Sequence, residues 1–202
     1  MNTYPLTSTT FIRREIESLE ALGKEVKRYA VRHWSEKLVD PLDIAEQNRT
    51  HYLLTNNILA LISSFFVVML TNPMGFLRGL GLWFQVCRNW GGLSLKQFAY
   101  LFEATYFYKL TKQDGLKHVH THFSTNATTV AMLAWRMGGV SYSFTTHGPD
   151  EFVNPALLVC RLRCSTPLLW WLFPIIVKDN WSALAALNMG KNYHRSLWTA
   201  YQ

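Results

Sequence analysis

The stretch from Lys117 to His147, "KHVHTHFSTNATTVAMLAWRMGGVSYSFTTH", constrains the fold more than any other part of the chain. Alternation over "KHVHTHF" predicts a strand, and "VSYSFTTH" predicts a second one. Between them Val130, Leu133, Ala134 and Met137 recur at helical spacing, which makes one face of the intervening helix apolar. Ser124, Thr125 and Asn126 are natural N-cap residues, and Gly138 and Gly139 suit the helix end. A right-handed crossover of this kind sets two strands side by side and parallel, so a βαβ unit within an α/β domain is expected. Open parallel sheets bind ligands in loops beyond the carboxyl ends of their strands, here residues 123–126 and 147–150.

The rest of the chain is less regular. Ile12, Ile16, Leu19 and Leu22 follow helical spacing and Gly23 can end that helix in a left-handed conformation. "EVKRYAVR" predicts a weak strand, and residues 40–49 a helix or connection. Residues 52–70 are apolar but interrupted by Thr55, Asn56 and Asn57, which leaves them short of a bilayer span; a core or interfacial helix is expected. From Thr50 to Lys112 the only acid is Glu103, while Arg78, Arg88, Lys96, Lys109 and Lys112 alternate with Phe76, Trp83, Phe84 and Trp90. Such a surface suits the headgroups of an anionic membrane, although a solvated face over core aromatics would read the same way.

Composition narrows the class. With 49% apolar and 14% aromatic residues among 202, the chain is globular or membrane-associated, not disordered. A net charge of +7 calls for an anionic partner without choosing it. Cys87, Cys160 and Cys164 form no disulfide framework and no zinc-binding pair of pairs, and no apolar run follows a basic start, so a reduced, cytoplasmic protein without a secretory signal is expected.

Several residues could carry chemistry. His118, His120 and His122 project from one face of their strand, and His-x-His is a pair a metal-dependent hydrolase would use. Only His147 and Asp150 stand near in sequence to complete such a site. In "TTHGPDEF", His147 ends a strand and Gly148 lets backbone approach a ligand, so the imidazole can donate to a phosphate or sugar oxygen. Ser8, Thr9 and Thr10 precede the first helix, where free amides and the helix dipole favour an anion.

Taken together, "NTYPLTSTTFIRREIESLEALG", "DPLDIAEQNRTHYLL" and "HVHTHFSTNATTVAMLAWRMGGVSYSFTTHGPDEF" resemble the N-terminal domain of family 4 glycosyltransferases, nearest to the colanic-acid and exopolysaccharide group. The resemblance runs from Asn2 to Phe152 and implies a Rossmann-like, acceptor-side domain at residues 1–152, one half of a two-domain GT-B enzyme. It implies a retaining transfer of sugar from a nucleotide-sugar, with no further cofactor or metal, to a lipid-linked or polysaccharide acceptor at the inner membrane face. No nucleic acid is expected. His147 matches the family histidine that contacts the donor sugar and phosphate, and Ser8, Thr9 and Thr10 match its loop before the first helix. His122, Asn126, Gly148 and Asp150 complete the expected substrate-binding set.

Two departures stand out. The chain starts at the "YP" turn, so the sheet is expected to lack its first central strand. After Phe152 the family pattern stops, and "PLLWWLFPIIVKDNW" replaces it. Shifted codons for that segment can encode "SFVVAISHYRKGQL", and those for "MGKNYHRSLWTA" can encode "WEKITIVHCGL" in the other alternate frame; both are family-like. Residues 153–202 are therefore expected to be an out-of-frame tail, and the chain alone to be inactive without the donor-binding domain.

Overall fold

The computed structural model describes residues 1–54, 58–123 and 125–145. Expectations for the tail, and for His147, Gly148 and Asp150, lie outside the described residues.

The first helix, α1 (Thr10–Ala21), follows a single turn of 3-10 helix over Thr7–Thr9. It stops where expected, at Gly23 with φ +74°, a backbone conformation that costs glycine little. A short strand, β1 (Arg28–Ala30), pairs in parallel with β2 (Thr50–Tyr52), and α2 (Pro41–Arg49) crosses between them. Asp40 caps α2 by accepting from the Leu42 amide at 2.9 Å, with proline at the first helical position. β2 was not anticipated: three residues are too few to show alternation. No strand forms ahead of α1, but the chain there does touch the sheet. Residues 1–3 run beside the two residues that follow β1, with Met1 and Asn2 carbonyls accepting from Val31 and Arg32 at 2.9 Å and an isolated parallel bridge from Thr3 to Arg32.

The apolar run from Tyr52 is not one helix. Tyr52 ends β2, and α3 begins at Ile58 (Ile58–Thr71). Pro73 then opens α4 (Pro73–Asn89), which leaves α3 at 118°. Asn72 holds this corner. Its side chain accepts from the Gly75 amide and donates to Tyr108 Oη and the Met137 carbonyl, at 3.1, 3.1 and 2.8 Å. Gly75 and Gly79, one turn apart, let α4 lie directly on the end of α6; a Cβ on Gly75 would fall 2.2 Å from the Met137 carbonyl oxygen. α5 (Leu95–Gln113) returns along α3 and leads into the anticipated βαβ unit: β3 (His118–His122), α6 (Asn126–Arg136) and β4 (Ser141–Thr145).

β3 and β4 pair in parallel from His118 with Ser141 to His122 with Thr145. The fold is mixed α/β, and among the described residues its strands form two separate parallel pairs. Every residue from Ala127 to Ala134 is buried, because α6 is packed by α4 and α5 as well as by its own strands. This makes α6 the centre of the main core, with Trp83, Val86, Phe107 and Phe144 around it. A smaller cluster of Tyr4, Ile12 and Ala30 lies between α1 and β1.

Candidate functional site

A cavity of about 490 Å³ opens between the two strand pairs. β1 forms one wall and β3 the other, while Ile12, Ile16 and Leu19 of α1 approach with Ala127 and Val130 of α6. It is mostly apolar, with polar groups from two places: Glu15 and the histidines of β3, and the charged residues of 24–28.

His122 is buried at the end of β3, with 7% of its surface exposed. Phe11 in the first turn of α1 meets its ring edge-on, with centroids 6.2 Å apart. Glu15, one helical turn further, places Oε2 3.8 Å from His122 Nε2. The His120 ring stands 4.9 Å from that of His122, and its nitrogens lie 2.8 Å from Ser143 Oγ and 3.0 Å from Thr145 Oγ1. His118 instead sits over the Ser141 and Ser143 hydroxyls, at 2.9 and 2.8 Å. Phe123 takes φ +67°, an uncommon value for a bulky residue. This turn is tied down on both sides, the Phe123 amide donating to the Thr145 carbonyl at 2.7 Å and its carbonyl accepting from Thr128 Oγ1 at 2.7 Å.

The other anticipated residues divide. Thr9 is buried and serves its own turn: its hydroxyl accepts from the Leu6 amide at 3.0 Å and donates to the Leu6 carbonyl at 2.8 Å. Ser8 is exposed beside it, and Thr10 is half-buried at the first position of α1. Asn126 opens α6 with Oδ1 accepting from Tyr100 Oη at 2.6 Å, so its side chain also fastens α6 to α5. The structure thus brings His122 and the first turns of α1 to one end of the cavity. Glu15 escaped the sequence reading, although an acid beside the Ile12, Ile16 and Leu19 stripe was a signal.

The side of the cavity lined by Lys27 and Arg28 is ionic. Arg28 is buried and donates to both carboxylate oxygens of Glu46 at 3.1 Å and to Glu20 at 2.5 Å. Tyr4 Oη adds a bond to Glu46 at 2.9 Å, and its burial beside that carboxylate raises its pKa. Lys27 reaches Asp114 at 2.8 Å, which holds the Asp114 carboxyl below the usual range. The Met1 amino group donates to the Tyr29 carbonyl at 2.9 Å, and burial pushes its pKa down to about 5.

A second feature involves residues that do not line the cavity. On α3, Leu59, Ile62, Phe66 and Leu70 are exposed, and Met74, Leu77 and Phe84 continue the apolar surface along α4. Arg78 and Arg88 are exposed on α4, with Lys96 exposed at the start of α5. Among the described residues no single helix is long and apolar enough to cross a membrane; α3 and α4 meet that measure only together, across their bend.

Compared with known proteins, the chain matches no family model, no curated protein and no solved structure.

Proposed function

We propose that this chain is the acceptor-side lobe of a sugar transferase that works at an anionic membrane surface. On this reading the α/β fold is a Rossmann-like half of a GT-B enzyme, the donor is a nucleotide-sugar, and the acceptor is lipid-linked or polysaccharide. Its support is the parallel βαβ unit whose carboxyl end, at His122 and Asn126, opens beside the first turn of α1, together with the three stretches of family-like sequence.

The observation that carries the membrane assignment is the exposed apolar face of α3 and α4 with its basic border. An ordinary surface helix turns its apolar stripe inwards. α3 does the reverse in part: Ser64 is fully buried while Leu59, at 83% exposure, and Leu70, at 75%, face outwards. Large exposed apolar patches are costly in water and mark interaction sites. Arginine and lysine around such a patch favour anionic lipid by about 1 kcal/mol each.

The experiment is vesicle flotation of the full chain. Binding to phosphatidylglycerol vesicles, weak binding to phosphatidylcholine, and loss of binding in the Leu59→Ser/Phe66→Ser double variant are expected. Equal recovery with both lipids, or an unaffected double variant, would refute the surface assignment. Sugar transfer is tested separately by joining residues 1–152 in frame to a donor-binding domain, where His147→Ala is expected to abolish activity. Flotation without transfer in that fusion would favour a noncatalytic membrane module.

A further inference from the structure

His120 and His122 stand two residues apart on β3, so their side chains leave the same face of the strand. Glu15 comes to that face from α1. One ligand atom from each of the three lies within 4.8 Å of the other two. Two imidazoles and a carboxylate are a donor set that binds zinc, leaving a fourth position for water. We propose that Glu15, His120 and His122 form a binding site for a borderline divalent transition metal ion, zinc foremost.

Donor type sets the class of ion. Imidazole nitrogen suits zinc, cobalt, nickel and copper, whereas calcium and magnesium select oxygen ligands. The strand contributes pre-organisation, because β3 is held along its length by β4. Hydroxyls at Ser143 and Thr145 flank the two nitrogens of His120. When one nitrogen turns to the ion, the hydroxyl at the other can accept a hydrogen bond from its N–H and hold the tautomer, as outer groups do at metal centres. The Glu15 carboxylate moves from His122 Nε2 to the ion that separates them.

The charge around the site permits a cation. Arg28 is matched by Glu20 and Glu46, and Lys27 by Asp114. The Met1 amino group, also on the cavity wall, is neutral at neutral pH because of its burial. There is a structural consequence as well. The two strand pairs share no ladder among the described residues, and an ion held by α1 and β3 would clip them together across the cavity.

Calorimetric titration of the metal-stripped full chain with zinc tests the site, with cobalt as a visible-absorption probe. One zinc per chain is expected, with a raised thermal midpoint because only the folded state holds all three ligands together. The His120→Ala/His122→Ala double variant is expected to lose affinity by about 100-fold or more and Glu15→Gln by about 10-fold, judged against the loss known for lesser changes around metal sites. His118→Ala, on the same strand but outside the cluster, should bind as the parent does. Circular dichroism of each variant checks its fold, and cobalt absorption of the unaltered chain reports nitrogen ligation without any substitution. Failure of the parent to bind zinc or to give a cobalt spectrum overturns the site, as does unchanged binding in the double variant or in Glu15→Gln. Flotation on vesicles is expected to be indifferent to a chelator, so this site and the membrane face stand or fall separately.

Discussion

The two strand pairs are held by different forces. Around β1 and β2 the small apolar cluster of Tyr4, Ile12 and Ala30 is supplemented by an ionic clamp of Arg28, Glu20 and Glu46 that joins α1, β1 and α2. Around β3 and β4 the work is done by apolar burial against α6, where Met132 and Leu133 are wholly inaccessible. Buried ion pairs return little net stability for the desolvation they cost, but removing one partner leaves an uncompensated charge. Apolar packing loses stability in proportion to the atoms deleted. The first region should therefore be brittle towards a single change, and the second graded.

The largest effect is expected for Glu46→Ala, which leaves the buried Arg28 guanidinium with Glu20 as its one remaining carboxylate and should cost about 4 kcal/mol in urea unfolding. Replacing both partners, as Arg28→Met with Glu46→Leu, should recover most of that loss; if the double variant is as unstable as the single, the clamp is not the cause. Next comes Leu133→Ala in the apolar region, at about 3 kcal/mol, measured the same way.

Glu103 on α5 is the exception inside the apolar half. Among the described residues its Oε2 has no hydrogen-bond partner, and burial raises the carboxyl from 4.5 to about 7. Between these values the folded state holds more protons than the unfolded one, so stability falls as pH rises from about 4.5 through 7 and then levels. Glu103→Gln should remove this dependence and stabilise the protein by about 3 kcal/mol at pH 8, with little change at pH 4. Unfolding curves at the two pH values decide it. The smallest effect belongs to the outward face of α3: Leu59→Ser should shift unfolding by no more than about 0.5 kcal/mol, while weakening vesicle binding.

Legibility followed the same division. The β3, α6 and β4 unit could be read because its alternation and its helical spacing are long enough to be distinct, and Gly138 does end the helix, with φ +92°. α1 was equally plain. α5 was hidden by its composition, since Tyr106, Phe107 and Tyr108 follow one another and no face stands out, although Tyr100, Ala104, Phe107 and Thr111 prove to be buried. The bend at Asn72 and Pro73 was not anticipated, and its angle depends on what Asn72 grips: Tyr108 and Met137 are 36 and 65 residues away. At the site, the two histidines were apparent from their spacing. Glu15 was not, because its place is set by how α1 lies across β3.

The amino-acid order determined by itself those features whose causes are local: where α1 and α6 start and stop, which strand faces carry histidine, and the scarcity of acid across residues 50–112. Tertiary structure decided whatever joins distant residues: the carboxylate that meets the histidines, the cavity between strand pairs, and which side of α3 faces outwards. The physical reason is that backbone propensity acts over a few residues, whereas burial and charge pairing depend on surfaces that exist only once the helices have packed.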